Sequence, residues 1–199
     1  PLAGSRVLPG LVLRGRLAAC CPAGGELKAL VVTRPLRPEP AAPGVERAVH
    51  SEGQQRAALG WCGRSAAAEL ERLRSCGVGL LLSGVRQHEE VIYHARLHGV
   101  SVVECLSLEE IALICEIAGI SPYEPFSDSM QTEIPEEAVV TFCQPLLLGS
   151  QLYVHLGLCS VGTFQPHSLV LCGPIDAVPE QHAAALQGAF TMLLQLFST

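Results

Sequence analysis

The position in this sequence that looks best suited to chemistry is Ser83-Gly84, a turn between a short apolar run and a predicted helix. A turn of this kind can hold a phosphate on its backbone N–H groups or present a nucleophilic serine. However, the turn has one glycine, and the chain contains no G-x-G-x-x-G, G-x-x-x-x-G-K-[ST] or G-x-S-x-G motif. A small-molecule or catalytic site near Ser83-Gly84 and Glu104 therefore remains only an alternative function.

The other groups that could do chemistry are not arranged for it. The acidic pairs Glu89-Glu90 and Glu109-Glu110 are adjacent in sequence, so the two members of each diverge by about 100° on a helix. His155 lies in a predicted strand, where we expect it to be packed or hydrogen-bonded. We expect neither a catalytic residue nor a cofactor in this chain.

The nine cysteines show no C-x-x-C motif and no Cys/His spacing typical of zinc sites, so we expect no metal site. Their odd number and the lack of a secretory signal pattern favour reduced thiols in a cytosolic compartment. Four of them lie in apolar runs and should behave as small hydrophobic residues: Cys105, Cys115, Cys143 and Cys172.

The charges are divided unevenly along the chain. Up to Arg96, thirteen basic and eight acidic residues give +5; from Leu97 onward, eleven acidic residues without a basic one give −11. Nucleic-acid binding needs clustered basic side chains, so the composition argues against it. No apolar run is long enough to predict a transmembrane helix.

The elements that would position a site lie between Val78 and Gly119. Apolar runs at 78–82 and 100–103 predict buried strands, and helical spacing over 86–98 predicts the helix between them. A Ser107/Glu110 capping box predicts a second helix over 108–118, and glycines 99 and 119 should end the two helices. The pattern is a βαβα unit, whose two strands should be parallel.

A wheel of the 86–98 helix separates two faces. His88, Ile92 and Ala95 lie on one, and apolar groups bordered by charge lie on the other, which is a pattern typical of a binding surface. Alternatively, the apolar members of that face cover a neighbouring loop. The candidate partner-binding residues are Arg86, Glu90, Tyr93, His94 and Leu97.

The remaining pattern predicts a mixed α/β chain. We expect strands at 6–13, 27–33 and 168–172, and a hairpin of 138–148 with 151–158. Between them we expect a loop or loose hairpin at 14–25, an extended proline-rich segment at 34–44, a short helix near Ser51, a firmer helix over 64–76 and an acidic loop at 121–137. The last predicted helix, over 177–197, is apolar nearly all round, so we expect missing chain to pack against it.

Several phrases are similar to a known family. The run VLPGL at 7–11, GVGLLLSGVRQ at 77–87, GVSVVECLSLEEIALICEIAG at 99–119 and SLVLCGP at 168–174 resemble the apical domain of group II (TCP-1-type) chaperonins. Within that group, YVHLGL at 153–158 and EQHAAALQGAFTMLLQLF at 180–197 resemble the chaperonin-like Bardet-Biedl syndrome proteins. The resemblance covers almost the whole chain.

The resemblance implies an apical domain over 1–175 and an intermediate-domain helix over 176–199. It implies client and partner binding through the 86–98 helix, in assembly of the ciliary BBSome, in the cytoplasm and at the cilium or basal body. The implied partners are other chaperonin-like Bardet-Biedl proteins, the cytosolic ring chaperonin and BBSome subunits. ATP and Mg²⁺ would belong to an equatorial domain. A lid would fall within 34–76, where prolines and glycines put a standard lid in doubt.

Overall fold

The computed structural model describes residues 4–21, 25–38, 52–125, 137–162, 164–175 and 177–197. Within these ranges the chain forms nine strands and four helices: β1 (Arg6–Pro9), β2 (Leu11–Leu13), β3 (Arg16–Ala19), β4 (Leu27–Val32), α1 (Glu52–Ser75), β5 (Val78–Ser83), α2 (Glu89–Leu97), β6 (Ser101–Glu104), α3 (Leu108–Ala118), β7 (Ala138–Leu148), β8 (Gln151–Leu158), β9 (His167–Val170) and α4 (Ala177–Phe197). The chain divides into two compact units, one spanning Gly10–Pro166 and the other joining the residues up to Pro9 with those from His167 onward.

The larger unit is built on a seven-stranded sheet in the order β2-β8-β7-β4-β5-β6-β3. Strands β4, β5 and β6 are parallel neighbours, and the other pairs are antiparallel. The parallel pairing of β5 with β6 confirms the prediction, because α2 returns the chain to the end of the sheet where β5 began. The mixed α/β fold class is likewise confirmed.

Two hydrophobic cores lie on opposite faces of this sheet, because successive residues of a strand point to opposite sides. Ala29 belongs to the core that contains the inner face of α3, and its neighbour Leu30 belongs to the core beneath α1 and α2. Val91 and Ala95 of α2 are fully buried in this second core. The sheet therefore fixes which side of α2 is left for solvent.

Local signals set several boundaries as predicted. The Ser107 Oγ accepts from Glu110 N at 3.1 Å, and the Glu110 carboxylate accepts from Ser107 N at 2.8 Å, which completes the capping box of α3. Gly99 and Gly119 follow their helices with φ of 70° and 65°, values that glycine adopts without strain. Gly149 has φ of 61° in the turn of the β7–β8 hairpin, whose strands match the prediction.

The smaller unit contains an antiparallel pair of β1 with β9, and the helix α4. The predicted 6–13 strand is thus two strands in two sheets, separated by Gly10 at φ of 84°. Helix α4 spans the predicted residues and has no buried side chain. None of the helices in the described ranges combines the length and the apolar character that a bilayer crossing requires.

Two predictions about the first half of the chain are wrong. The 14–25 segment, predicted as a loop or loose hairpin, contains the strand β3, which pairs with the distant strand β6 and is too short to show a reliable alternation. The two helices predicted near residues 51 and 64–76 are the single helix α1, with Gly53, Gly60 and Gly63 inside it. A buried stripe of Cys62, Ala66, Leu70 and Leu73 offsets the low helix propensity of those glycines.

The solvent exposure of two residues also differs from the prediction. Leu36, in the segment predicted to be exposed and poor in core residues, is fully buried in the core beneath α2. Cys105, predicted to be a small core residue, is exposed and has φ of 61°. It lies directly after β6, where the chain turns away from the sheet toward α3. Residues 126–136 of the predicted acidic loop and residues 39–44 of the proline-rich segment lie outside the described residues.

Candidate partner-binding surface

Helix α2 begins three residues later than the sequence predicts. The backbone N–H of Gln87 donates to Glu104 Oε2 at 3.1 Å, and the Gln87 side chain is buried, so the chain stays extended through His88, the N-cap. Arg86 therefore precedes the helix instead of lying on its outer face. Sequence spacing could not show this, because the hydrogen bond connects the segment before α2 with Glu104 at the end of β6.

The outer face of α2 exposes the two apolar residues on which the prediction depends. Tyr93 retains 64% of its accessible surface and Leu97 retains 66%. The ring of His94, a half-buried residue, lies edge-on to Tyr93 with 5.3 Å between centroids. His88, predicted to lie on the inner face, is exposed; Val91 takes its place beside Ala95 in the core. The role of this face in binding stays a prediction.

The first turn of α2 carries a charged cluster. Glu90 Oε2 lies 3.3 Å from Arg37 Nε and 3.9 Å from His88 Nδ1, and Arg37 Nη1 lies 2.8 Å from His88 Nε2. The Arg37 side chain is largely buried, whereas those of Glu90 and His88 are about half exposed. Glu90 therefore holds the 34–38 segment against the helix in addition to bordering the exposed face.

The alternative site at the carboxyl ends of β5 and β6 is filled by a buried polar network. Ser83 Oγ accepts from Gln87 Nε2 at 2.8 Å and donates to Val85 O at 2.8 Å. Glu104 is fully buried; its Oε1 accepts from Arg16 Nε at 2.8 Å, and its Oε2 accepts from Gln87 N. The side chains that could have formed a catalytic site instead hold one another in place.

The Ser83-Gly84 turn does not fit a phosphate. A Cβ at Gly84 would lie 2.5 Å from Ile111 Cδ1, so the turn is packed against α3. The Gly84 N–H donates to Val32 O at 3.0 Å and is not free to bind a ligand. The Ser83-Gly84 turn therefore lacks the free backbone N–H groups of a phosphate-binding loop. Within the described ranges, no cluster of three or more His, Cys, Asp or Glu side chains could hold a metal ion.

Sequence reasoning missed Gln87, the central residue of this network. Its Oε1 accepts from Leu36 N at 2.9 Å and its Nε2 also lies 3.3 Å from Arg34 O, so it ties the 34–36 segment to the start of α2. A single glutamine after a turn gives no pattern from which this could be predicted. The sequence analysis also did not identify the exposed leucines outside α2: Leu108 on α3, and Leu147 and Leu152 at the β7–β8 tip.

A second polar cluster anchors the chain after α3 to α1. Tyr123 OH donates to Glu69 Oε1 at 2.7 Å and accepts from Arg72 Nη2 at 2.5 Å. Burial, and then the hydrogen bond to Glu69, raise the pKa of Tyr123 to about 12. Burial alone would raise the pKa of Glu69, but the hydrogen bonds from Arg72 and Tyr123 outweigh it and lower that pKa. The cluster stabilises the helix on which α2 rests.

Comparison with known proteins finds three relatives, which all have the same name. The chain is 46% identical over 197 residues to BBSome complex assembly protein BBS10 of Pongo abelii, and 45% and 44% identical to the proteins of the same name from Homo sapiens and Mus musculus. These matches cover 99–100% of the chain and 27–28% of each relative, so the chain spans about a quarter of their length. No family model matches.

Among solved structures, the fold is similar to an open-state monomer of a group II chaperonin from Methanococcoides burtonii. The TM-score is 0.63 at 14% identity, over 94% of this chain and 40% of the chaperonin chain. At this identity the match shows the fold alone. It confirms the fold that the resemblance implies.

Proposed function

We propose that this chain is the partner-binding apical domain of a chaperonin-like assembly factor. The premise is that the chain is a homologue of a segment of the BBS10 proteins and has a group II chaperonin fold. The proposed process is assembly of the BBSome, in the cytoplasm and at the base of the cilium. The proposed partners are BBSome subunits, related chaperonin-like Bardet-Biedl proteins and the cytosolic ring chaperonin.

The observation that supports this function is the two-sided character of α2. Its inner face is fully buried at Val91 and Ala95, so the helix is held in place, while Tyr93 and Leu97 stay in solvent on the outer face. Exposed apolar side chains beside charged ones are typical of interaction sites. Burying them against a partner would yield about 25 cal/mol per Å² of apolar surface, and the charges at the border would select the partner.

In this mechanism no bond is made or broken by the chain. A partly assembled subunit exposes apolar surface, binds the outer face of α2, and is released when its own partner covers that surface. The proposed domain boundaries are those of the resemblance, an apical domain over 1–175 and an intermediate-domain helix over 176–199. Any ATP and Mg²⁺ site of such a protein is proposed to lie in an equatorial domain.

The experiment compares two double variants, each of which truncates two exposed apolar side chains to alanine on a different surface. Tyr93→Ala with Leu97→Ala changes the outer face of α2. Leu147→Ala with Leu152→Ala changes the β7–β8 tip, where the two leucines are 65% and 63% exposed and face each other across the hairpin. Binding of purified BBSome subunits is measured by biolayer interferometry, beside a thermal melt of each variant.

We expect the α2 variant to bind at least about tenfold more weakly with an unchanged melt, because central apolar residues dominate such interfaces. The hairpin variant should bind as the parent does. Equal loss in both variants would mean unspecific adhesion and would contradict the proposal, as would loss of the cooperative melt in the α2 variant. A thermal-shift screen against nucleotides and metabolites should be flat; a hit that Ser83→Ala abolishes would support the alternative site.

A further inference from the structure

A groove runs between α2 and the edge strand β3. It has a volume of about 360 Å³ and is lined by Arg16, Ala18, Arg86, Ile92, Tyr93 and Arg96, among others. Strand β3 lies at one end of the sheet order and pairs with β6 alone among the described strands. The groove therefore opens to solvent beside the exposed face of α2.

The arginines of the groove differ in how they are held. Arg16 is paired with the buried carboxylate of Glu104, and Arg96 Nη2 donates to Ala18 O at 2.8 Å. Arg86 is exposed, and among the described residues its guanidinium has neither a hydrogen bond nor an ion pair. No described residue therefore occupies the donors of Arg86, whereas the other two arginines are already engaged.

Arg86 also stands between two cavities. It lines the groove beside β3 and a larger one of about 510 Å³ on its other side, formed with Pro35, Arg37 and Pro38. Gln87 and Glu89 line both. A ligand that follows the surface can therefore pass Arg86 and contact both cavities, which favours an extended ligand over a compact one.

The edge of β3 does not favour addition of a further strand at this point. The pairing of β3 with β6 shifts register between Leu17 and Ala19, and the carbonyl of the intervening Ala18 is occupied by Arg96. An interrupted, already bonded edge offers no regular ladder. A bound segment would be held by its side chains, with an acidic group on the Arg86 guanidinium and an apolar group beside Ile92 and Tyr93.

We propose that this groove binds an extended acidic segment of a partner protein, with an Asp or Glu carboxylate on Arg86 and an apolar side chain against Ile92 and Tyr93. The proposal rests on the proposed partner-binding function of α2 and adds the chemistry of the segment. Guanidinium and carboxylate form two parallel, charge-assisted hydrogen bonds, which makes an unpaired Arg a selective receptor for acidic side chains.

The probe is a fluorescent hexapeptide in which glutamates alternate with leucines, and its control is the same peptide with glutamines. Fluorescence anisotropy should show that this chain prefers the glutamate peptide and that added salt weakens its binding. Arg86→Gln should lower the affinity about tenfold, the equivalent of one charge-assisted contact. Arg64→Gln, at an exposed arginine on α1 outside the groove, should leave it unchanged.

Arg86→Glu tests the sign of the charge, because it should abolish the preference for the glutamate peptide and create one for a lysine peptide. Equal binding of the glutamate and glutamine peptides, or equal loss in Arg86→Gln and Arg64→Gln, would overturn the proposal. So would tighter, Arg86-dependent binding of a single-stranded oligonucleotide of the same charge.

The two proposals can fail separately. If Arg86→Gln leaves peptide affinity unchanged while the Tyr93/Leu97 double variant still loses BBSome subunits, the groove proposal is wrong and the proposed function stands. If the peptide depends on Arg86 but the double variant keeps its subunits, the groove is supported as a peptide site and the proposed role of the α2 face is wrong.

Discussion

Helices α2 and α4 both expose large apolar side chains, but for different reasons. Helix α2 has a buried inner face, at Val91 and Ala95, and an outer face that exposes Tyr93 and Leu97. Helix α4 has no buried residue among those described, and its exposed side chains include Phe190, Met192, Leu193, Leu194, Leu196 and Phe197. The exposed apolar side chains of α2 thus lie opposite a buried face, whereas no described residue of α4 is buried.

This difference decides which helix supports a functional argument. Because no described residue of α4 is buried, its exposed apolar side chains have no buried opposite face that would mark them as a separate binding surface. Helix α2 already has its core contacts, so its outer apolar residues are not needed to hold it in place. Removing them should therefore affect binding and not folding, and that separation can be tested.

The largest expected effect concerns the polar network under the start of α2. Glu104→Ala should lower the free energy of unfolding by about 3 kcal/mol, because it removes a fully buried carboxylate and leaves the Gln87 N–H without its acceptor. Urea denaturation measures the loss. The control is Glu109→Ala, an exposed carboxylate in the first turn of α3, which should cost a few tenths of a kcal/mol.

A loss below about 1 kcal/mol for Glu104→Ala would show that the network does not hold α2 in place. Helix α2 would then be held in place by its apolar inner face alone.

The next effect compares the two helices directly. Val91→Ala should cost about 2 kcal/mol, because it opens a cavity in the core beneath α2. Leu194→Ala, on the exposed surface of α4, should change stability by no more than about 0.5 kcal/mol. Both are measured by urea denaturation of the same chain. A large loss from Leu194→Ala would mean that α4 is packed in solution, and the contrast between the helices would disappear.

Local signals made part of this fold predictable. The capping box of Ser107 and Glu110 and the turn at Gly149-Ser150 depend on residues close in sequence, so α3 and the β7–β8 hairpin match their predictions. Strand β3 was missed because its stability comes from pairing with β6, some 80 residues away. The single helix α1 was missed because its buried stripe outweighs the propensity of its glycines.

The candidate site was predictable to a similar degree. Helical spacing correctly placed Tyr93 and Leu97 outward, since that depends only on the period of the helix. It wrongly included Arg86 in the helix, because the bond between Gln87 N and Glu104 that keeps the chain extended joins two elements. Gln87 also lines both grooves beside Arg86, and no sequence pattern indicated them.

A smaller effect concerns α1, the helix against which α2 packs. Tyr123→Phe removes the hydrogen bonds with Glu69 and Arg72 and should cost about 1 kcal/mol at pH 7. Folding raises the pKa of Tyr123 from 10.0 to about 12, so its protonated form favours the folded state. That contribution is complete below pH 10 and is lost as the pH rises toward 12.

Urea midpoints of the parent and of Tyr123→Phe, measured from pH 8 to about pH 12, test this coupling. The parent's advantage should be constant up to about pH 10 and then shrink, while effects of other titrating groups cancel in the difference. An advantage that stays constant through pH 12 would contradict the pKa argument. No advantage at pH 7 would show that the cluster does not stabilise α1.

The smallest expected effect is the one on which the functional argument most depends. Leu97→Ala should change the free energy of unfolding by no more than about 0.5 kcal/mol, because the side chain is mostly in solvent and alanine is at least as good a helix former. Ala95→Val, two residues earlier and on the inner face, should be clearly destabilising, since it adds volume to a closed core. If Leu97→Ala instead costs more than about 1 kcal/mol, Leu97 is part of the core of the folded chain in solution. Tyr93 and Leu97 would then be structural residues, and the outer face of α2 would no longer support a partner-binding function.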